Sequence, residues 1–313
     1  MSNLEFSLNA TMPVFFVIFV GWFLKKIGII RKDFQDANNR LVFRVLLPVM
    51  LFCDVAETDL SATFSMKFFL FCVSATLACF AAVWILAALF YKDRASIGSF
   101  VQGAIRGSAG ILGVAFAENM YGRAGMVPLM MIAIVPIYNI GSVILLTMYS
   151  SERPPQGQIK KVCLEVLTNP LILGILAGIP FALLHVQFPA LVQKSLNNLS
   201  MITSPLALLM VGADFDLQKA SAQRIPVLLA TAIKLLIQPA IFLPIAVLLG
   251  FRDESLIAIL IMLGAPATVS GYIMARGMHN NVSMAGSIVV LTTMLSAITV
   301  TGIIFVLRSL GYV

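Results

Sequence analysis

What most constrains this chain is the recurrence, from near Met12 to Arg308, of apolar stretches about 20 residues long separated by short polar turns. That is the length a helix needs to cross the hydrocarbon core of a bilayer at 1.5 Å rise per residue. The stretches predict about ten transmembrane helices, at 10–30, 37–55, 66–90, 96–118, 125–149, 163–184, 189–213, 225–249, 254–275 and 283–308. Only the connection from Ser150 to Val162 is long. Composition excludes a soluble domain, because 60% of the residues are hydrophobic and 11% charged, against roughly 25% charged in soluble proteins. The segment Met1–Asn9 carries Glu5 and no Lys or Arg, and no small-residue cleavage pattern follows the first apolar run. The first span is therefore expected to stay in the bilayer rather than leave as a signal peptide.

The formal charge of +7 reads as membrane topology, not as affinity for nucleic acid. With the N-terminus outside, the inner loops and helix edges hold Lys25, Lys26, Arg31, Lys32, Lys92, Arg94, Arg153, Lys160, Lys161, Lys219, Arg224 and Arg276. The outer side then holds Lys67, Arg123, Lys194, Arg252 and Arg308. Twelve cations against five place both termini outside the cell (inner) membrane under the positive-inside rule. Arg40, Arg44, Arg106 and Lys234 remain, all within predicted helices.

Two halves of the chain resemble each other. A shift of 157 positions lays Pro13 on Pro170, Gly21 on Gly178, Pro48 on Pro205, and Glu57, Asp59 and Leu60 on Asp214, Asp216 and Leu217. A shift of 160 lays Tyr91–Ile97 on Phe251–Ile257, where the fourth and ninth spans open. Residues 1–150 and 163–313 thus read as two five-helix repeats joined by a cytoplasmic linker, 151–162. Five is odd, so the second repeat enters the membrane inverted, the plan of many secondary transporters. The expected fold is an all-α integral membrane protein of two inverted five-helix repeats.

In such folds a solute binds near the midplane, where interrupted helices free backbone groups. The fourth span is weakened by Gly103, Gly107, Gly110 and Gly113 around Arg106 and Ser108; the ninth is broken by Gly264 and Pro266, followed by Thr268, Ser270 and Gly271. The shift of 160 superposes Arg106 on Pro266 and Ser108 on Thr268, which predicts two broken helices crossing around a cavity. Half-helix N-termini and a fixed guanidinium suit a carboxylate, so the expected solute is a small organic anion, bound by Arg106, Gly107, Ser108, Pro266, Thr268 and Ser270. The alternative for Arg106 is a structural cation bonded to exposed carbonyls or paired with Glu118 or another acid. Asn139 and Ser296, related by the shift of 157, are candidates for neutral hydrogen bonds to the solute or for helix contacts. Lys234, about 12 Å deep in the eighth span at 1.5 Å per residue, is a candidate for coupling or gating unless it snorkels. Pro48 and Pro205 are expected helix breaks beside Gly110 and Gly264.

Other chemistries find no support. Cys53, Cys72, Cys79 and Cys163 lack ligand spacing and read as packing residues, so no metal and no cofactor is expected. His185 and His279, the only histidines, lie near helix ends, no HExxH occurs, and an enzyme is not expected. Without a GxxxxGK[ST] run, ATP-driven pumping by this chain has no basis.

At FVQGAIRGS (100–108), VPIYN (135–139), LTNPLILGILAGI (167–179), SPLALLMVGADF (204–215) and above all APATVSGYIMAR (265–276), the chain resembles the auxin efflux carrier family over its whole length. The resemblance implies ten helices, scaffold and transport domains with crossed helices, elevator-like motion, organic-anion substrates such as auxin or dicarboxylates, malonate among them, and a homodimer. Ser108 stands where the family commonly has Asn, and Gly271 where it frequently has Ser. The alternative is a cation-coupled symporter or exchanger, as the similar bile-acid symporter and sodium–proton antiporter folds suggest; it calls for a membrane carboxylate, and none is read at mid-span.

Overall fold

The computed structural model describes residues 3–56, 65–91, 93–109, 116–118, 120–152, 164, 166–184, 186, 188–215 and 223–313, and in them the chain is helical. The helices are α1 (Asn3–Lys26), α2 (Lys32–Leu41), α3 (Leu47–Ala56), α4 (Met66–Phe90), α5 (Arg94–Ile105), α6 (Val127–Met148), α7 (Pro170–Leu183), α8 (Ala190–Asp214), α9 (Arg224–Ala232), α10 (Gln238–Leu248), α11 (Asp253–Gly264), α12 (Val269–Gly277) and α13 (Val282–Ser309). Two π-helical turns, Val42–Leu46 and Ile233–Ile237, join α2 to α3 and α9 to α10 without interrupting either rod. Five of these rods are long and apolar enough to cross a membrane: Met66–Phe90, Val127–Met148, Ala190–Asp214, Arg224–Leu248 and Val282–Ser309.

Local sequence sets the ends. Ser65, Asn169 and Asn281 cap α4, α7 and α13, their side chains accepting from Phe68, Leu171 and Met284 N–H, and Pro170 fills the first turn of α7, where no donor is needed. Gly28 and Gly250, at φ +82° and +84°, turn the chain after α1 and α10 in the left-handed region that favours glycine.

The fourth and ninth predicted spans are interrupted: α5 stops at Ile105, and α11 stops at Gly264 before α12 resumes at Val269. Pro48 and Pro205 correct an expectation. α8 runs through Pro205 without a break, and Pro48 is the second residue of α3, directly after the π-turn, where a wider turn absorbs its missing N–H.

Two contacts bring backbone against backbone. On α1 and α8, a Cβ added to Gly21 or Gly212 would lie well inside van der Waals contact distance of the Leu209 or Ile18 carbonyl oxygen; on α7 and α3, Gly174 and Gly178 abut the Pro48 and Phe52 carbonyls. Such small-residue seams let membrane helices approach closely where no hydrophobic effect drives them together. α11 is buried from Leu256 to Gly264, which fits its apolar character all round, and α13 packs on α1, α5, α9 and α12. One end of the bundle is gathered by the Arg123–Glu254 ion pair and by the Asp253 N–H donating to the Tyr312 carbonyl. The opposite end, where α1 finishes at Lys26, is gathered by Trp84 donating to Tyr149 and Asn281 donating to Ser96.

Candidate functional site

Between α5 and Ala109, and between α11 and α12, the chain is extended, and the two extended segments meet. Gly107 and Ala267 form an antiparallel bridge; the Ser108 N–H donates to the Pro266 carbonyl at 2.8 Å, and the Thr268 N–H to the Arg106 carbonyl at 3.3 Å. This pairing meets the demand that backbone at membrane depth be satisfied internally. The Thr292 hydroxyl of α13 completes it, accepting from the Ala267 N–H at 3.0 Å.

Charge is arranged by what ends at the crossing. α5 and α11 both terminate there, presenting the partly negative carbonyl ends of two helices. Lys234, on the π-turn after α9 and fully buried, donates its amine to the Ile105 carbonyl at 3.0 Å and the Met262 carbonyl at 3.1 Å. Gln238, one turn on, donates to the Ala104 carbonyl at 2.7 Å. The ammonium therefore neutralises two helix ends at once, and the space a Gly107 side chain would take is held by Lys234, with Nζ 2.9 Å from the ideal Cβ position. Lys234 does not snorkel and does not line the cavity described next.

On the other side of the crossing lies a cavity of about 170 Å³, lined by Arg106, Gly107, Ser108, Ala109, Thr268 and Ser270 of the crossing, by Met131, Ile134, Val135, Tyr138 and Asn139 of α6, by Met50, Leu51 and Asp54 of α3, and by Ser204 of α8. Arg106 is 6% exposed and donates to Asn139 Oδ1 at 2.5 Å and to the Met274 sulfur at 2.8 Å. Both of these acceptors are neutral and hold the fork in place; the acid that shares its cavity is Asp54, not Glu118. α12 starts here with Thr268 in an extended conformation and no side-chain cap on its first turn, and the Thr268 and Ser270 hydroxyls pair at 2.9 Å. A guanidinium and a helix N-terminus thus converge on one space, the arrangement that attracts anions. The volume is roughly five times a water's share of the liquid, about 30 Å³.

Of the residues singled out from sequence, Arg106, Gly107, Ser108, Thr268, Ser270 and Asn139 come together around this cavity. Pro266 contributes its carbonyl to the crossing. Ser296 does not join them: it is buried on α13 and donates to its own helix at the Thr293 carbonyl, 2.9 Å away. Gly264 ends α11 as expected, and Gly110 lies outside the described residues. Sequence reasoning missed Asp54, Tyr138 and Ser204. Asp54 gave no signal because the π-turn that precedes α3 has no residue signature.

A family model described as membrane transport protein matches residues 6–304. An uncharacterized transporter of Methanocaldococcus jannaschii is 22% identical over 302 residues, covering 94% of this chain and 96% of its own. A protein of Rhizobium meliloti whose name puts it forward as a malonate transporter is 22% identical over 306 residues, covering 95% of each chain. An uncharacterized transporter of Methanothermobacter thermautotrophicus is 19% identical over 296 residues, covering 94% and 96%. With matches of this extent on a chain of apolar helices, the molecule is a multi-pass membrane transporter rather than an enzyme, and it belongs to the membrane transport protein family of auxin efflux carriers.

Proposed function

We propose that this chain is a secondary carrier of a small organic anion, a carboxylate of malonate's size, working by elevator-type alternating access. The observation that carries the reading is the convergence of the Arg106 guanidinium and the α12 N-terminus on one small cavity between α3, α6 and α8. The name of the Rhizobium meliloti relative favours a dicarboxylate.

Two inverted repeats of five spans supply the framework. Supporting this, equivalent contacts recur at the offsets found in the sequence. The pair Gly21–Leu209 has its counterpart 157 positions on and back in Gly178–Phe52, and the two hydrogen bonds of the crossing exchange under 160. In this reading α1, α2–α3, α7 and α8 form the scaffold, joined by the glycine seams, and α4–α6 with α9–α13 form the body that carries the site. The Lys26 end faces the cytoplasm of the cell membrane, and two copies associate through the scaffold.

A second reading, coupling to a proton or other cation, draws on Asp54, which places a carboxylate in the same cavity as Arg106. Solid-supported-membrane currents from proteoliposomes, recorded for a panel of mono- and dicarboxylates with and without a pH gradient, test both. A saturable carboxylate current reduced at least tenfold in Arg106→Gln, and not rescued in Arg106→Lys because the fork is lost, supports the anion carrier. Equal currents in wild type and Arg106→Gln remove Arg106 from the site. A current that needs the pH gradient and is lost in Asp54→Asn favours the coupled form.

A further inference from the structure

At the Lys26 end of the bundle a second polar cluster lies apart from the cavity. Arg276, in the last turn of α12, bonds the Asp214 carboxylate at the end of α8 and lies 3.4 Å from Asp36 on α2. The Asn39 carboxamide, its oxygen turned to the guanidinium, accepts from it as well. Tyr272, one turn earlier on α12 and 1% exposed, donates to the Asp214 carboxylate and lies 3.2 Å from the Met210 carbonyl. The Arg276 and Asp214 side chains are 17% and 18% exposed, so this pair is shielded from water while Asp36, at 52%, is not.

The three elements that meet here also contribute to the cavity: Thr268 and Ser270 open α12, Ser204 lies ten residues before Asp214 on α8, and Met50, Leu51 and Asp54 continue the rod that carries Asp36. At 1.5 Å per residue, Ser204 is about 15 Å from Asp214 along α8. The cavity extends to Asp54 and Met131, toward the opposite end, and on α12 the buried Tyr272 stands between Ser270, which lines the cavity, and Arg276.

We propose that Arg276, Asp214 and Tyr272, backed by Asp36, are a latch that closes the solute path at the Lys26 face and must part before the cavity opens there. This rests on the alternating-access reading above. A single short helix, α12, then carries solute-binding groups at its start and a gate at its end. A shift of that helix that breaks the latch moves the binding groups with it. A charge buried against its partner is costly to leave unpaired, so removing one member shifts the balance toward the open gate.

The test needs no known solute. Ser204→Cys, in a background with the four native cysteines replaced, is treated with a membrane-impermeant maleimide in right-side-out and inside-out vesicles. Labelling from the Lys26 side is expected to be slow in the parent and at least tenfold faster with Asp214→Asn or Arg276→Gln. The exchange Asp214→Arg with Arg276→Asp is expected to return it to the slow rate, which also shows that the variants fold. Unchanged labelling in both single variants overturns the latch, as does an exchange variant that labels as fast as the single ones while its labelling from the other side stays at the parental rate. Carboxylate currents on the parent and the latch variants with Ser204 retained separate the two claims: a latch response without any current counts against the anion carrier alone, and a normal current without a latch response counts against the latch alone.

Discussion

Lys234 and Arg106 are two buried cations a few residues from one crossing, with opposite duties. The Lys234 amine donates to two carbonyls, those of Ile105 and Met262, at helix ends where the intrahelical donors run out. Arg106 spends two donors on Asn139 and Met274 and keeps its plane against the cavity. Lys234→Met keeps the bulk and removes the charge, leaving the Ile105 and Met262 carbonyls buried without their donor. The expected cost is about 1–3 kcal/mol, read as a lower midpoint of thermal unfolding in detergent micelles, and an unshifted midpoint excludes this role. Arg106→Gln, in contrast, is expected to leave that midpoint nearly in place while transport falls.

At the scale of elements, the long spans were legible because 20 apolar residues in a row have few other uses, and α4 spans Met66–Phe90 as read from sequence. The interruptions at Ile105 and Gly264 were legible because glycine clusters and Pro266 destabilise a helix at those places in both halves. What stayed hidden follows from register. Nothing in VFRVL or IKLLI announces a π-turn, yet those turns aim Asp54 and Lys234. Pro205 misleads in the opposite sense, since a helix held on two sides by neighbours tolerates a missing bond. The glycine seams yield a sharp contrast. Gly212→Ala drives a Cβ into the Ile18 carbonyl of α1, which cannot yield without separating the helices, whereas a side chain at Gly302 meets nothing within 4 Å. Gly212→Ala is expected to lower the yield of monodisperse protein in detergent several-fold and Gly302→Ala to leave it unchanged; equal yields would dismiss the seam.

For the whole molecule, orientation is the property on which everything physiological depends. In the orientation proposed from the positive-inside excess, Lys25, Lys26 and Lys32 lie in the cytoplasm and Arg123, Arg252 and Arg308 outside. Single cysteines at Gly28 and Gly122, both at turns with open space around them, report this directly. In intact cells an impermeant maleimide is expected to label position 122 and spare 28, and the converse pattern reverses the assignment of every face named above.

The placement of Arg106 has an electrical consequence. Twelve residues of α5 separate it from Arg94, so the guanidinium sits about 18 Å into a hydrocarbon layer about 30 Å thick. Across that layer the cell sustains a voltage, and moving one elementary charge through 100 mV takes about 2.3 kcal/mol. Any rearrangement that carries Arg106 part of the way across is therefore biased by the resting potential in proportion to the distance moved. A bound monoanion lowers that bias by one charge. On the alternating-access reading proposed above, the membrane potential thus acts on the empty protein as an effector with no binding site, and its grip weakens when the cavity is filled.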